Sequence, residues 1–403
     1  MITVVGIGAD GWDGLPGAVR ALVQGARVVL GGPRHLALLP DVPGQRREPW
    51  PSPLRDQLPA LLASVGEETP AGQVVALASG DPLVSGIATT LIDLLGADAV
   101  SVVPAISSVA LARAAMRWPA HSHAVVSVVG RDVALVRREL APGRRILILS
   151  SDERTPREVA AVLVADGYGD STLTVLGDLG GPEQRSLLFP SAVDLAETGI
   201  ELPRLNIVAI ECLGPSRGGW VTGLPDDAFE HDGQLTKRDL RASALARLAP
   251  APGEHLWDVG AGAGSVGIEW MRAHPSCTTT AVEADDERVT RIGRNASRLG
   301  VPGLEVVHGR APDALAALRT PHAIFVGGGA TRDGVIDACL SALRPGGRLV
   351  VHGVTLETEV LLGQLHREHG GELNRISVET TAPVGTFTGW TPARAVTQWA
   401  LRR

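Results

Sequence analysis

The sequence predicts an α/β protein of more than one domain, and three observations carry that reading. Its 403 residues correspond to two to three domains at ~150 residues each. Short apolar runs alternate with longer amphipathic stretches, the pattern of strands and helices layered on largely parallel sheets. Several apolar runs end in small-residue turns, where α/β sheets place their ligands.

In chain order, residues 4–5, 74–77, 100–103, 125–129 and 146–149 read as buried strands. Residues 54–65 and 107–116 read as helices between them. This part is expected to form two lobes that meet near Pro104. Turn formers without periodicity follow in Gly214-Pro215-Ser216-Arg217-Gly218-Gly219 and Gly223-Leu224-Pro225-Asp226-Asp227, which is linker chemistry. The expected domains are therefore 1–213 and 236–403, with a linker at 214–235. Beyond it, 237–248 reads as an amphipathic helix and 255–259 as a strand. A glycine-rich turn and a helix through Met271 come next, then a strand at 278–283 and a helix at 285–299. Residues 304–308, 323–326 and 348–352 supply three more strands. The extended segments at 376–380 and 395–399 have no long helix between them and suggest an antiparallel hairpin at a sheet edge.

Composition removes several function classes. The net charge is −7 and aromatics make up 3%, so no basic footprint for nucleic acid is present and few platforms remain for stacking bases. Cys212, Cys277 and Cys339 lie far apart. They form no C-x-x-C pair, and a reducing cytoplasm fits. No run of ~18 apolar residues occurs, so no membrane span is expected. Met1-Ile2-Thr3-Val4-Val5-Gly6 has no basic n-region, so no signal peptide is expected. No metal cluster is expected either.

The most informative motif is Asp258-Val259-Gly260-Ala261-Gly262-Ala263-Gly264-Ser265-Val266-Gly267. It leaves a strand and opens a helix, where glycines allow a tight turn and close ligand approach and the helix N-terminus offers free N–H groups. Glu283 ends the next strand ~20 residues on, placed to accept hydrogen bonds from a ribose diol. The glycine spacing also satisfies the dinucleotide pattern, so NAD stands beside S-adenosylmethionine (SAM). A turn that only packs helix on sheet is the third reading. Asp258 suits a cofactor carrying an ammonium and a sulfonium, and it would repel a pyrophosphate. D-x-G-x-G-x-G is the pattern of SAM-dependent methyltransferases. The single Tyr, Tyr168, and the single Lys, Lys237, lie in different domains, so the Tyr–Lys pair of a short-chain dehydrogenase is absent. Gly309-Arg310-Ala311-Pro312 closes the third strand, where such folds contact adenine. Gly327-Gly328-Gly329 would open room for a broad planar substrate, or serve as a flexible turn.

The N-terminal part carries a second constellation. Gly6-Ile7-Gly8, Ser79-Gly80-Asp81-Pro82 and Pro104-Ala105-Ile106-Ser107-Ser108 each follow a strand. Three such loops can converge on one ligand in a crevice. Asp81 and Pro82 equally suit the N-cap and first position of the next helix. Arg131, after a fourth strand, offers a cation to a substrate carboxylate or a solvated surface group.

These residues carry a family resemblance. Through Val5-Gly6-Ile7-Gly8, Ser79-Gly80-Asp81-Pro82-Leu83, Ile106-Ser107-Ser108-Val109 and Gly130-Arg131, the N-terminal part resembles the tetrapyrrole methylases. Gly8-Ala9-Asp10-Gly11 and Val84-Ser85 depart from that family's usual Gly-x-Gly-Pro-Gly and aromatic residues. The C-terminal part is similar to the decarboxylating methyltransferases of cobalamin synthesis. The carriers are Leu235-Thr236-Lys237-Arg238, Trp257 to Gly262, Gly267-Ile268-Glu269-Trp270, Gly309 to Pro312, Phe325-Val326-Gly327-Gly328, Gly389-Trp390 and Val396-Thr397-Gln398-Trp399. The fusion in this order resembles the precorrin-6Y C5,15-methyltransferase (decarboxylating) family.

The resemblance implies a two-lobed tetrapyrrole methylase fold followed by a Rossmann-like SAM-dependent methyltransferase fold. It implies methylation of C5 and C15 of precorrin-6B with loss of the C12 acetate carboxyl, and a homo-oligomer through the C-terminal domain. It implies two SAM sites. One comprises Asp258, Gly260, Ala261, Gly262, Gly264, Glu283, Gly309, Arg310 and Ala311; the other comprises Gly6, Gly8, Gly80, Asp81, Ser107 and Ser108. A substrate rich in carboxylates asks for cations. Lys237, Arg238 and Arg241 are candidates beside Arg131, or else form a solvated face. An NAD(P)-dependent reductase and a non-catalytic tetrapyrrole carrier are the rival classes.

Overall fold

The computed structural model describes residues 1–68, 72–216 and 219–403. It divides into two compact units, Met1–Ser216 and Arg217–Arg403. Arg217 and Gly218 of the expected linker lie outside the described residues.

In the first unit, β1 (Ile2–Ile7), β2 (Val28–Gly31), β3 (Arg46–Pro49), β4 (Val74–Ser79) and β5 (Val100–Val103) form one sheet in the order β3-β2-β4-β1-β5. All its pairings are parallel. Such strands are covered on both faces and read as unbroken apolar runs. Side chains alternate accordingly. Val4, Val28, Leu30, Val74 and Ala76 enter one core, and Val5, Ile7, Val29, Val75 and Leu77 enter another. The second lobe holds β6 (Ala124–Ser127), β7 (Arg145–Leu149), β8 (Thr172–Gly177), β9 (Arg185–Phe189) and β10 (Asn206–Glu211). Their order is β6-β7-β10-β8-β9; only the β6–β7 pairing is parallel. The helix Ser108–Met116 packs Val109 and Ala112 against Leu147, Leu176, Ile207 and Ala209 of this sheet. Each fully buried Leu or Ile side chain contributes ~1.5–3 kcal/mol.

The second unit contains β11 (His255–Val259), β12 (Thr278–Glu283), β13 (Glu305–His308), β14 (Ala323–Val326), β15 (Arg348–Gly353), β16 (Glu372–Ile376), β17 (Glu379–Val384), β18 (Phe387–Pro392) and β19 (Val396–Arg402). Seven strands form one sheet, β13-β12-β11-β14-β15-β19-β16. The first five are mutually parallel, and β19 runs antiparallel to both neighbours. This is a Rossmann-like order whose switch point lies between β11 and β14. Residues 376 and 396, expected in a terminal antiparallel pair, face each other in the β16–β19 register. An additional exposed hairpin, β17–β18, is inserted between them.

Two cores cover the sheet's faces, with Leu256, Phe325 and Val350 in one and Trp257, Val259, Ile324 and Trp399 in the other. Part of the expected linker belongs to this unit, because Leu224 and Phe229 are buried in its core. The helix Arg238–Leu248 buries Arg241, Ala244, Leu245 and Leu248. That single face corrects the expectation that Arg241 meets a substrate.

Candidate functional site

In the second unit, the carboxyl ends of the parallel strands open onto a cavity of about 820 Å³. The volume lies within the ~300–1,000 Å³ usual for small-molecule sites. The glycine turn after β11 supplies one wall through Gly260, Ala261 and Gly262. Gly260 has φ +67 and is approached by the Gly328 backbone, so a Cβ there would sit 2.8 Å from the Gly328 oxygen. Of the expected set, Glu283, Gly309, Arg310 and Ala311 also line the cavity, and Gly327, Gly328 and Gly329 line it beside the turn.

Glu283 braces the turn. Its Oε2 accepts the Gly262 N–H at 2.8 Å, and its Oε1 accepts from Ala284 and Asp285. A carboxylate has about four acceptor positions, so capacity remains toward the cavity.

Two expected cofactor contacts do not line the cavity. Asp258 is 1% exposed, and strand alternation turns it to the Leu256 face, beneath the helix Ser265–Ala273. Its Oδ2 accepts the Gly267 N–H at 2.9 Å, while Oδ1 is buried without a partner. Burial pushes its carboxyl up to about 7; the Gly267 N–H opposes that shift and the charge of Glu283 adds to it. Asp258 therefore holds the turn from below. Gly264 is the helix N-cap in a left-handed conformation, and its α-carbon faces Ile292.

Cations ring this cavity. Of the expected ones, Lys237 and Arg238 line it. Lys237 lies 3.6 Å from Asp226. Arg241 does not line it. Its guanidinium is fully buried and paired with Glu269 at 2.6 Å, it donates to the Leu224 carbonyl, and it lies over the Phe229 ring. Glu269 in turn accepts the N–H groups of Gly223 and Leu224. That network fastens the start of the unit to its core.

Sequence reasoning missed Arg332, Arg394 and His352, all of which line the cavity. Among the described residues, Arg238, Arg310, Arg332 and Arg394 have no ion-pair partner. Arg332 follows the triple glycine, so the strand-end rule could have found it. Arg394 follows the β17–β18 hairpin and carries no local signal. His352, the penultimate residue of β15, has Nε2 2.9 Å from Gln398 Oε1 and its ring edge-on to Phe325. Burial pulls its imidazole down to about 4, so it is neutral at pH 7.

The first unit has a smaller cavity of about 340 Å³. Gly8, Gly80 and Ser108 line it, as do Ser150 and Asn206 of the second lobe. Ser150 Oγ and Asn206 Oδ1 are buried without partners. Gly6 lies where the three loops touch; a Cβ on it would fall 2.0 Å from the Gly80 oxygen and 2.7 Å from the Ala105 nitrogen. The convergence of the three loops is thus built on backbone contact.

The other expected residues play local roles. Asp81 Oδ1 accepts the Leu83 N–H at 2.9 Å, and the next helix starts only at Ile87, after Gly86. Asp81 therefore closes a turn and caps no helix. Ser107 caps the helix Ser108–Met116 by accepting from Ala110. Arg131 is exposed and lies outside the cavity lining. The cavity's own cation is Arg34, beside His35 and Ser79. Arg34 Nη2 lies 2.8 Å from His35 Nε2 and donates to Ser79 Oγ at 3.1 Å.

Among the described residues no His, Cys, Asp and Glu side chains are grouped to hold a metal, and no helix is long and apolar enough to cross a membrane.

Comparison with known proteins follows the same division. Residues 1–192 match the tetrapyrrole (corrin/porphyrin) methylases, and residues 227–403 match the precorrin methyltransferase domain. A precorrin-6Y C(5,15)-methyltransferase (decarboxylating) of a Sinorhizobium species is 44% identical over 403 residues, covering 99% of this chain and 95% of the relative. The protein of that name from Mycobacterium tuberculosis (strain CDC 1551 / Oshkosh) is 42% identical, covering 100% of both chains. Among solved structures, the C-terminal domain of precorrin-6Y C5,15-methyltransferase from Rhodobacter capsulatus is 43% identical. It covers 46% of this chain and 100% of that one, with a TM-score of 0.44.

Proposed function

The chain belongs to the precorrin-6Y C(5,15)-methyltransferase (decarboxylating) family, and on that premise we propose a division of labour between its two units. The first unit methylates C5 of the tetrapyrrole. The second methylates C15 and removes the carboxyl of the C12 acetate. Each unit binds its own SAM, and the starting substrate is precorrin-6B. The observation that carries this reading is a strand-end cavity in each unit, each bordered by small-residue loops.

The residues fit SAM in the second unit. Glu283 keeps acceptor capacity for a ribose hydroxyl. The backbone of Gly260 and Gly262 lets a ligand lie against the turn. The open turn at Gly327, Gly328 and Gly329 leaves space beside it. In the first unit, unpartnered Ser150 Oγ and Asn206 Oδ1 supply polar groups opposite the loops.

SAM, when bound, supplies an already activated methyl group. What the chain supplies is position, an effect that reaches ~7–11 kcal/mol in favourable cases. The side chains of Arg238, Arg310, Arg332 and Arg394, which have no ion-pair partner among the described residues, hold the acid side chains of the macrocycle at the second site. In the decarboxylation, the bond from the acetate methylene to its carboxyl breaks. Carbon dioxide leaves, and the electron pair passes into the conjugated ring at a protonated imine nitrogen, so the substrate is the electron sink. The former acetate methylene then takes a proton from solvent to become a methyl group. The protein's part is to hold that acetate out of the ring plane.

The test uses the full chain with SAM and precorrin-6B, with product identified by mass. The expected product has gained two methyl groups and lost one carbon dioxide. A product that keeps the carboxyl, or gains a single methyl at saturating SAM, would sink this reading.

A further inference from the structure

We propose that Arg34, oriented by His35 and Ser79, binds a carboxylate of the tetrapyrrole at the first unit's cavity and sets substrate affinity for that unit's methyl transfer. This rests on the reading of the first unit as the C5 methylation site.

Position is the first support. Arg34, His35 and Ser79 line the same cavity as Gly8 and Gly80. Ser79 ends β4 and directly precedes Gly80, so the cluster stands one residue from the loops assigned to the cofactor. A carboxylate held there shares the cavity with the loops assigned to the cofactor, where an anchor can fix the ring's orientation.

The bonding pattern is the second support. His35 Nε2 is 2.9 Å from Ser79 Oγ, and both contact the same guanidinium nitrogen, Nη2 of Arg34. One edge of the fork is thereby fixed, and the other nitrogens are left for a ligand. Among the described residues Arg34 has no ion pair. Asp178 acts on it only through space. Burial, and then the charge of Arg34, pull His35 down to about 4. Both partners are therefore neutral, and the guanidinium charge has no contact counterion. A planar fork held on one side and uncompensated on the other suits bidentate binding of a carboxylate.

The surroundings fit an amphiphilic macrocycle. Trp50, Val84, Ile87 and Leu179 supply apolar wall to the same cavity. Arg131 does not line the cavity.

The test measures steady-state C5 methylation by the full chain at saturating SAM, with the decarboxylated C15-methyl tetrapyrrole varied. Isotope-labelled methyl and NMR locate the product methyl. Arg34→Met is expected to raise KM ~10–100-fold, the value of a lost charge-assisted hydrogen bond, with kcat changed far less. Arg34→Lys keeps the charge without the fork and recovers part of the loss. It also serves if Arg34→Met does not fold. His35→Asn gives a smaller KM increase. Decarboxylation by the second unit of the same chain stays at the wild-type rate and monitors the preparation. An unchanged KM in the Arg34→Met and Arg34→Lys chains overturns the proposal while leaving the C5 site in place. A loss confined to kcat overturns it also. A wild-type chain that places no methyl on C5 overturns the underlying reading, and the proposal with it.

Discussion

Gly262 donates its backbone N–H to Glu283 Oε2 at 2.8 Å, joining the glycine turn of β11 to the end of β12. The turn's shape and the cavity-lining carboxylate are therefore one unit. Glu283→Gln places an amide where three backbone N–H groups now meet a carboxylate. One of those donors then faces another donor. We expect SAM affinity at the second site to fall at least ~10-fold and stability to drop by ~1–3 kcal/mol. Calorimetric titration and urea unfolding check the two effects. Unchanged affinity would remove Glu283 from the site.

Asp258 makes stability depend on pH. Its carboxyl stands near 7 in the folded chain, against ~3.9 for an unfolded aspartate. Between those values the folded state holds the proton and the unfolded state does not. Stability must then fall as pH rises from about 4 through 7. At ~1.4 kcal/mol per pKa unit, the loss amounts to a few kcal/mol. Asn at 258 keeps an acceptor for the Gly267 N–H and cannot ionise. Melting of SAM-free protein is expected to shift down several degrees between pH 5 and pH 8 in the wild type. In Asp258→Asn that fall should shrink markedly. An equal fall in both proteins would contradict this.

Arg241 is a structural cation. Its side chain is fully buried with Glu269 at 2.6 Å, and Glu269 is itself 3% exposed. Removing one member of such a pair leaves an uncompensated charge and costs ~3–5 kcal/mol. Arg241→Met is expected to lower urea stability by that amount. The substrate KM of the protein that remains folded should stay within ~2-fold. A large KM change at unaltered stability would restore a direct role in binding.

Gly6→Ala tests the first unit. The added Cβ would fall 2.0 Å from the Gly80 oxygen, so the β1 and β4 loops must part. C5 methylation is expected to drop by at least ~100-fold, the scale of a site displaced by an ångström. Decarboxylation in the second unit should persist. Product mass then shows one methyl gained and one carbon dioxide lost. Retention of both methyl transfers would show that the loops tolerate separation.

Strands, helices and glycine turns were legible because their signals are local. The runs at 74–77 and 323–326 needed only apolar continuity, and 260–264 only glycine spacing. Asp258's direction was also readable, since it alternates with Trp257 and shares a face with Leu256. Arg241 shares a helical face with Ala244, Leu245 and Leu248, a spacing that already placed it inward. Asp81 shows the opposite limit. Asp-Pro suits a turn as well as a helix start, and only the observed start at Ile87 separates them. The cluster of Arg34, His35 and Ser79 was hidden for another reason. Its members come from separate strand ends, and only the β2–β4 pairing brings them together. His352 with Gln398 depends in the same way on β15–β19 pairing.

Binding stoichiometry tests most directly the proposal of two cofactor sites on two unrelated folds. Calorimetric titration of the full chain with SAM is expected to give two equivalents per chain. Gly6→Ala and Glu283→Gln are each expected to weaken a different one of the two. A single equivalent in the wild type, abolished by either substitution, would contradict it.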